Sequence, residues 1–213
     1  MKTRNKALVL SLSAVLLVGA SVFGTMAYLT YTTETVENTF TVGNVEIKLD
    51  EAKVNEYGVE IADADRVTTN EYKLIPGHTY AKDPTVTVLK GSEKSYVRML
   101  VTINEQRDLD AIFAPNGLSL TEFFGGVSTD WTLYGETENE NDTRTYEFRY
   151  KEIVAAPDNN VVLDDLFETI TVPGSVTGEQ LDTIANLKIT VVANAIQADG
   201  FTSADDAWAK FGN

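Results

Sequence analysis

Two counts narrow the chemistry open to this chain: one histidine and no cysteine. The histidine, His78, lies in Pro76-Gly77-His78, a turn sequence. A zinc hydrolase of the common type needs two histidines one helical turn apart with a glutamate between them, and that motif is absent. Thiolate zinc sites require cysteine. No Gly-x-Ser-x-Gly elbow exposes a serine for His78 to activate, and no glycine-rich phosphate loop follows a strand. Carboxylates are abundant, with 32 Asp and Glu, so acid pairs of the kind that hydrolyse glycosides fall close together by chance alone. Asp63-Ala64-Asp65, Glu136-Thr137-Glu138-Asn139-Glu140-Asn141-Asp142 and Asp164-Asp165 offer the oxygen ligands calcium takes, without the spacing of a calcium loop. They read as solvated acidic loops. Tyr96, Trp131, Tyr146 and Tyr150 would form either a sugar-binding face or cross-strand packing. No catalytic, cofactor-binding or metal-ligating residue is assigned. No cofactor is expected, calcium being the one ion the acidic runs would attract.

The charge balance excludes another class. The formal net charge is −15, and loss of Lys2, Arg4 and Lys6 with the first 27 residues would take it to −18. Nucleic-acid binding needs clustered Lys and Arg for phosphate contacts, so no nucleic-acid partner is expected. Aliphatic and aromatic residues make up 43% of the 213, enough for a sizeable core in one domain. Without cysteine that core has no disulfide staples, and stability must come from packing and β-pairing.

The first segment has three parts. Lys2, Arg4 and Lys6 form a positive region, Ala7 to Val18 an apolar run broken by Ser11 and Ser13, and Gly19 to Ala27 a small-residue stretch. Thr25-Met26-Ala27 resembles a small-x-small cleavage site. Residues 1–27 therefore read as a signal peptide cut between Ala27 and Tyr28, with Ala20 as a weaker site. The other reading is a retained anchor, since Ala7 to Ala27 is long enough to span a bilayer. With cleavage the protein is secreted, and it touches the membrane only beforehand.

The remainder is rich in Thr, Val, Ile and Tyr, which suit a pleated, half-buried surface. Tyr28, Leu29, Thr30, Tyr31, Thr32, Thr33, Glu34, Thr35 and Val36 form an extended, Thr-rich stretch without Gly or Pro. Strands are expected at Phe40–Val42 and Val45–Leu49, with a kink at Gly43-Asn44, and at Tyr72–Ile75, which ends in a Pro76-Gly77 turn. Further strands are expected at Thr85–Leu89, Tyr96–Ile103, Trp131–Tyr134, Thr145–Val154 and Lys188–Ala198, with Leu163–Val172 apolar but mixed. Leu109–Phe113, Leu120–Phe124 and Gly178–Leu187 read as short helices or loops, and Glu136–Asp142 as an acidic turn. Thr202-Ser203 followed by Asp205-Asp206 starts a short C-terminal helix. About eight strands with few βαβ alternations predict a mainly β fold, an antiparallel two-sheet jelly-roll-like sandwich with short helical insertions. An immunoglobulin-like sandwich is the alternative. The expected organisation is a signal at 1–27, an extended segment at 28–38 and a single domain at 39–213.

The chain resembles the TasA/camelysin family of exported proteins of Gram-positive bacteria. The resemblance rests on Gly24-Thr25-Met26-Ala27-Tyr28 and Asn38-Thr39-Phe40-Thr41-Val42-Gly43-Asn44-Val45-Glu46-Ile47. Leu74-Ile75-Pro76-Gly77 with Lys82-Asp83, and Ala195-Ile196-Gln197-Ala198-Asp199-Gly200-Phe201 with Ala207-Trp208, extend it. It covers nearly the whole chain, while Gln106 to Pro173 matches only in pattern. The resemblance implies a signal cut by a dedicated, SipW-type signal peptidase and a jelly-roll subunit of biofilm-matrix fibres on the cell surface. It also implies donor-strand complementation, in which the mature N-terminal segment, here Tyr28 to about Asn38, adds a strand to the next copy. Partners would be further copies of the chain, head to tail, and other matrix proteins. An unpaired sheet edge recruits an extended segment in this way, and a contact that does not close makes a filament. The alternatives are a monomeric surface adhesin or carbohydrate-binding sandwich and, from the family's second name, a camelysin-like metalloprotease. The residues supply no zinc motif for the last.

Overall fold

The computed structural model describes residues 43–113 and 123–211, which belong to one compact unit spanning Gly43–Asn213. The expected signal peptide, its cleavage site Ala27/Tyr28, the segment Tyr28–Val36 and the strand Phe40–Val42 lie outside the described residues.

Alternation of apolar and polar residues builds the main sheet. In β4 (Ser92–Ile103), Val97, Met99, Val101 and Ile103 are buried while Arg98, Leu100 and Thr102 turn to the other face, half-exposed. On one side of β4 lies β11 (Ile189–Gln197), paired antiparallel along its whole length from Ile189↔Ile103 to Gln197↔Ser95. On the other side lies β7 (Thr143–Tyr150), followed outward by β6 (Trp131–Asn139). The chain turns after Tyr150, and β8 (Val154–Ala156) then continues along the first part of β4. The sheet order is β11-β4-β7-β6, so β11 and β6 are its edges.

Two three-stranded antiparallel sheets supply the facing residues. One has the order β1-β3-β9, from Ile47–Asp50, Thr85–Val88 and Val161–Val162. The other has the order β2-β10-β5, from Thr79–Ala81, Thr169–Thr171 and Phe124–Gly125. They are nearly continuous: between them Leu163 N–H donates to Val86 C=O, Leu166 to Pro84 and Lys82 to Glu168, at 2.9, 3.1 and 2.9 Å. Inner faces of all three sheets share one core containing Tyr80, Val86, Val88, Met99, Val101, Tyr146, Phe148, Phe167 and Ile170. Each large apolar side chain contributes about 1.5–3 kcal/mol on burial, which is where a cysteine-free chain must find its stability.

The helices are short: α1 (Gln106–Ile112), α2 (Gly178–Thr183) and α3 (Ala204–Trp208). A capping box starts α2, in which Thr177 Oγ1 accepts from Gln180 N–H and Gln180 Oε1 accepts from Thr177 N–H. Ser203 caps α3 by accepting from Asp206 N–H.

A mainly β, antiparallel fold with few short helices is what the composition predicts, but several elements differ. The described residues hold eleven strands rather than about eight, because short strands of two or three residues, such as Phe124–Gly125, Val154–Ala156, Val161–Val162 and Thr169–Thr171, add to the long alternating ones. Tyr72–Ile75 is not a strand. Its backbone is taken locally: Lys73 N–H donates to Glu56 C=O and Ile75 N–H to the Tyr80 hydroxyl. Pro76-Gly77 does form the expected turn, with Gly77 at φ +74 and His78 N–H returning to Ile75 C=O. Glu136–Asn139 extends β6 instead of forming an acidic turn, since Glu138 faces Arg144 and pairs with it at 2.9 Å. The turn falls later, where Asn141 and Asp142 adopt φ of 65 and 58. Phe124 begins β5 rather than ending a helix or loop.

Candidate strand-binding groove

Among the described residues β1 and β11 present unpaired edges that approach each other, and these define the site. In β11 the pairing alternates. Asn104 N–H donates to Lys188 C=O and Ala198 N–H to Lys94 C=O, so Thr190, Val192, Asn194 and Ile196 share the β4 side. The backbone groups of Ile189, Val191, Ala193, Ala195 and Gln197 therefore point away from β4; no described strand pairs with them, though the Asn194 side-chain amide donates to Ala193 C=O at 3.1 Å. In β1 the same logic turns Ile47 and Leu49 outward, because Leu89 N–H reaches Glu46 C=O on the β3 side. Side chains of Ile47, Leu49, Ile189, Val191, Ala193 and Ala195 lie against the core yet remain half-covered. The result is a pair of antiparallel edges above an apolar floor.

The two ends of this groove differ. At one end a cavity of about 790 Å³ is walled by Leu49, Leu74, Ile170, Leu187, Ile189 and Val191, with residues 67–72 along its side. At the other end Gly43–Val45 and Ala195–Gln197 flank an opening of about 400 Å³ beside Phe201 and Phe211.

Charged side chains fix the first end. Glu51 and Lys82 are both buried, and their Oε2 and Nζ lie 2.5 Å apart. Asn70 Nδ2 donates to the second carboxylate oxygen, Glu51 Oε1, at 2.9 Å and to Ala52 C=O at 2.8 Å. The Tyr72 hydroxyl donates to Ala81 C=O, and its pKa is pushed up, first by burial and then by the Glu51 charge. Arg66 ties the long connection after β1 to the sheet. It donates to Asp50 Oδ1 (2.5 Å), Asp83 Oδ2 (2.6 Å) and Thr85 Oγ1 (2.8 Å). Burial alone would raise the Asp50 pKa, but hydrogen bonds and charge from Lys48 and Arg66 outweigh it and hold the carboxyl below its usual range. Through this network Val67 is held against Glu51, exchanging two backbone hydrogen bonds of 2.8 Å on the outer edge of β1.

Residues singled out in the sequence fall elsewhere. The Ala27/Tyr28 cleavage site and the donor residues Tyr28–Val36 are outside the described residues. His78 Nε2–H donates to Tyr57 C=O at 2.7 Å and its ring rests on Tyr80, so it acts in packing. Tyr146 and Trp131 are buried, Trp131 stacks edge-on against Tyr150, and Tyr96 lies on the opposite sheet face. These four rings make no common sugar-binding platform. Asp164 and Asp130 share a hydrogen bond, and this contact raises the Asp164 pKa. No group of three metal-ligating side chains occurs among the described residues, and no helix among them is long and apolar enough to cross a membrane. The groove residues themselves were not singled out from sequence. The alternation of β11 was visible, but which of its edges stays unpaired is a matter of topology. No family model, curated protein or solved structure matches the chain.

Proposed function

We propose that this protein is a secreted structural subunit of an extracellular, biofilm-type matrix, with a jelly-roll-like sandwich that polymerises by strand donation. Its signal peptide would be removed between Ala27 and Tyr28, and Tyr28 to about Asn38 would add to the groove of the neighbouring copy. The observation that carries the reading is the outer edge of β11: nine uncharged residues without glycine or proline, unpaired among the described residues and lying beside half-covered apolar side chains. Strand lengths agree, since β11 presents nine residues and Tyr28–Val36 supplies nine. A strand added along β11 would pair with that edge and cover apolar residues beside it. The resemblance to the TasA/camelysin family supplies the biological setting, a fibre of the cell surface. The acidic charge predicts repulsion between copies that salt relieves.

The test is electron microscopy of purified protein beginning at Tyr28 and of the same protein beginning at Thr39, across salt, calcium and pH. Fibres from the first and none from the second are expected. Monomers from both would overturn the assembly reading and favour a surface adhesin.

A further inference from the structure

We infer that the outer face of the main sheet binds an uncharged, extended β-linked polysaccharide, laid across the strands along a row of threonines and stacked on the Tyr134 ring. The surface is the face of the sheet and not its edge, so it works whether or not β11 accepts a strand.

Register places four threonines in one line across all four strands. Thr190 stands opposite Thr102, Thr102 opposite Thr145, and Thr145 opposite Thr137. They turn away from the core, since the alternate residues Val191, Val101 and Tyr146 face it. Strands lie about 4.7–4.9 Å apart, so the row extends over roughly 14 Å. The hydroxyls of Thr102 and Thr145 lie 2.8 Å apart, and Thr145 Oγ1 accepts from Asn139 Nδ2 at 3.0 Å. Thr137 and Thr190, at the two ends, are exposed. The next row is Val192, Leu100, Glu147 and Gly135. Its one charge is compensated: Glu147 Oε1 takes Arg149 Nε at 2.6 Å and faces Arg98 Nη1 at 3.6 Å. Val192 is 47% exposed, and a Cβ added at Gly135 would meet nothing within 4 Å, so this row is a shallow trough beside the hydroxyls.

A fixed aromatic ring stands at one end of the trough. Tyr134, at the register shift between Leu133 and Gly135, is 54% exposed. The Arg149 guanidinium lies 3.2 Å from its ring centroid and is itself held by Glu147 and Asp205. The Tyr134 hydroxyl also engages Asp205, the first-turn acid of α3. A ring held this way loses little freedom when a ligand stacks on it. Beyond the trough α3 forms a wall, with Trp208 resting on Arg98 at 4.4 Å.

Charge and size select the occupant. On a chain of net charge −15, these two rows carry no unpaired charge. A polyanion finds no counter-charge there and is repelled by the rest of the surface. A protein partner needs about 800 Å² on each side, more than a trough of roughly 14 Å by two rows supplies. A narrow uncharged sugar chain fits: its hydroxyls donate to and accept from threonine hydroxyls, and its apolar ring faces lie on Tyr134, Leu100 and Val192.

Titration calorimetry of the chain beginning at Tyr28 is expected to show binding of cellohexaose or laminarihexaose, and none of a polyuronate fragment of matching length. Tyr134→Ala is expected to weaken binding by about tenfold. Thr137→Glu with Thr190→Glu, both at exposed positions, is expected to abolish it, while Val162→Glu, exposed on β9, leaves it unchanged. Thermal melting checks that each variant is folded. Binding of neither hexasaccharide overturns the inference, as does equal binding of the uronate, or binding that survives both the tyrosine and the threonine substitutions. Electron microscopy of the same samples reports strand addition separately, so the two readings fail independently.

Discussion

Removing the ammonium from the buried Lys82–Glu51 pair should cost a large part of the protein's stability. In Lys82→Met the aliphatic stem still packs, but Glu51, itself buried, keeps only the Asn70 amide as partner. Breaking a buried pair by removing one partner costs about 3–5 kcal/mol, because an uncompensated charge stays behind. Against a total of about 5–15 kcal/mol for a domain, that is about a fifth of the margin or more. Removing both charges, as in Glu51→Leu with Lys82→Met, avoids the desolvation cost. Asn70 then retains Ala52 C=O and Val54 N–H as partners. The double variant should fall within about 1–2 kcal/mol of the parent, the usual outcome when an apolar pair replaces a buried ionic one. Urea unfolding followed by the fluorescence of Trp131 and Trp208 measures all four corners of the cycle. A loss below about 1 kcal/mol in Lys82→Met, the level of an exposed pair, would refute the reasoning, as would simple additivity in the double variant.

Three further outcomes follow from the geometry. Asp50, whose folded pKa is depressed, contributes stability that is present above the unfolded value of about 3.9 and lost as pH falls through the folded one; urea midpoints between pH 7 and 3 should fall less steeply in Asp50→Asn. Gly58→Ala should cost more than about 1 kcal/mol, because Gly58 has φ +69 and an added Cβ would lie 2.6 Å from Tyr80 Cα; thermal melting reads it as a drop of at least about 2–4 °C. Thr177→Ala removes the hydroxyl half of the α2 capping box and should cost about 1 kcal/mol by chemical denaturation.

The long alternating runs were legible in the sequence. Tyr96–Ile103 and Lys188–Ala198 appear as β4 and β11 within a few residues, since one buried face per strand leaves a period of two that nothing else imitates. Tyr72–Ile75 shows why short apolar runs mislead. Its composition suits a strand, yet the Tyr80 hydroxyl, five residues on, and the Glu56 carbonyl, in the preceding loop, claim its backbone in place of a neighbouring strand. Glu136–Asn139 shows the converse. Its acids look solvated until the cross-strand partner Arg144 is in place. The groove was invisible for a similar reason. Its walls come from 49–51, 67–74 and 187–191, brought together by pairing whose register no local pattern specifies.

The two edges of the main sheet are treated in opposite ways, and that contrast bears on which one binds. At β6 the outer strand is interrupted: the register shifts between Leu133 and Gly135, and Glu136 and Glu138 follow. A bulge and charges on an edge are the usual means of preventing another strand from pairing there. β11 has no such protection. From Ile189 to Gln197 it carries no charged residue, no glycine and no proline, and it pairs with β4 in unbroken register. An edge of nine uncharged residues above an apolar floor is a hazard unless a strand covers it. The contrast between a guarded β6 and an unguarded β11 puts the strand addition proposed above at β11 and not at β6.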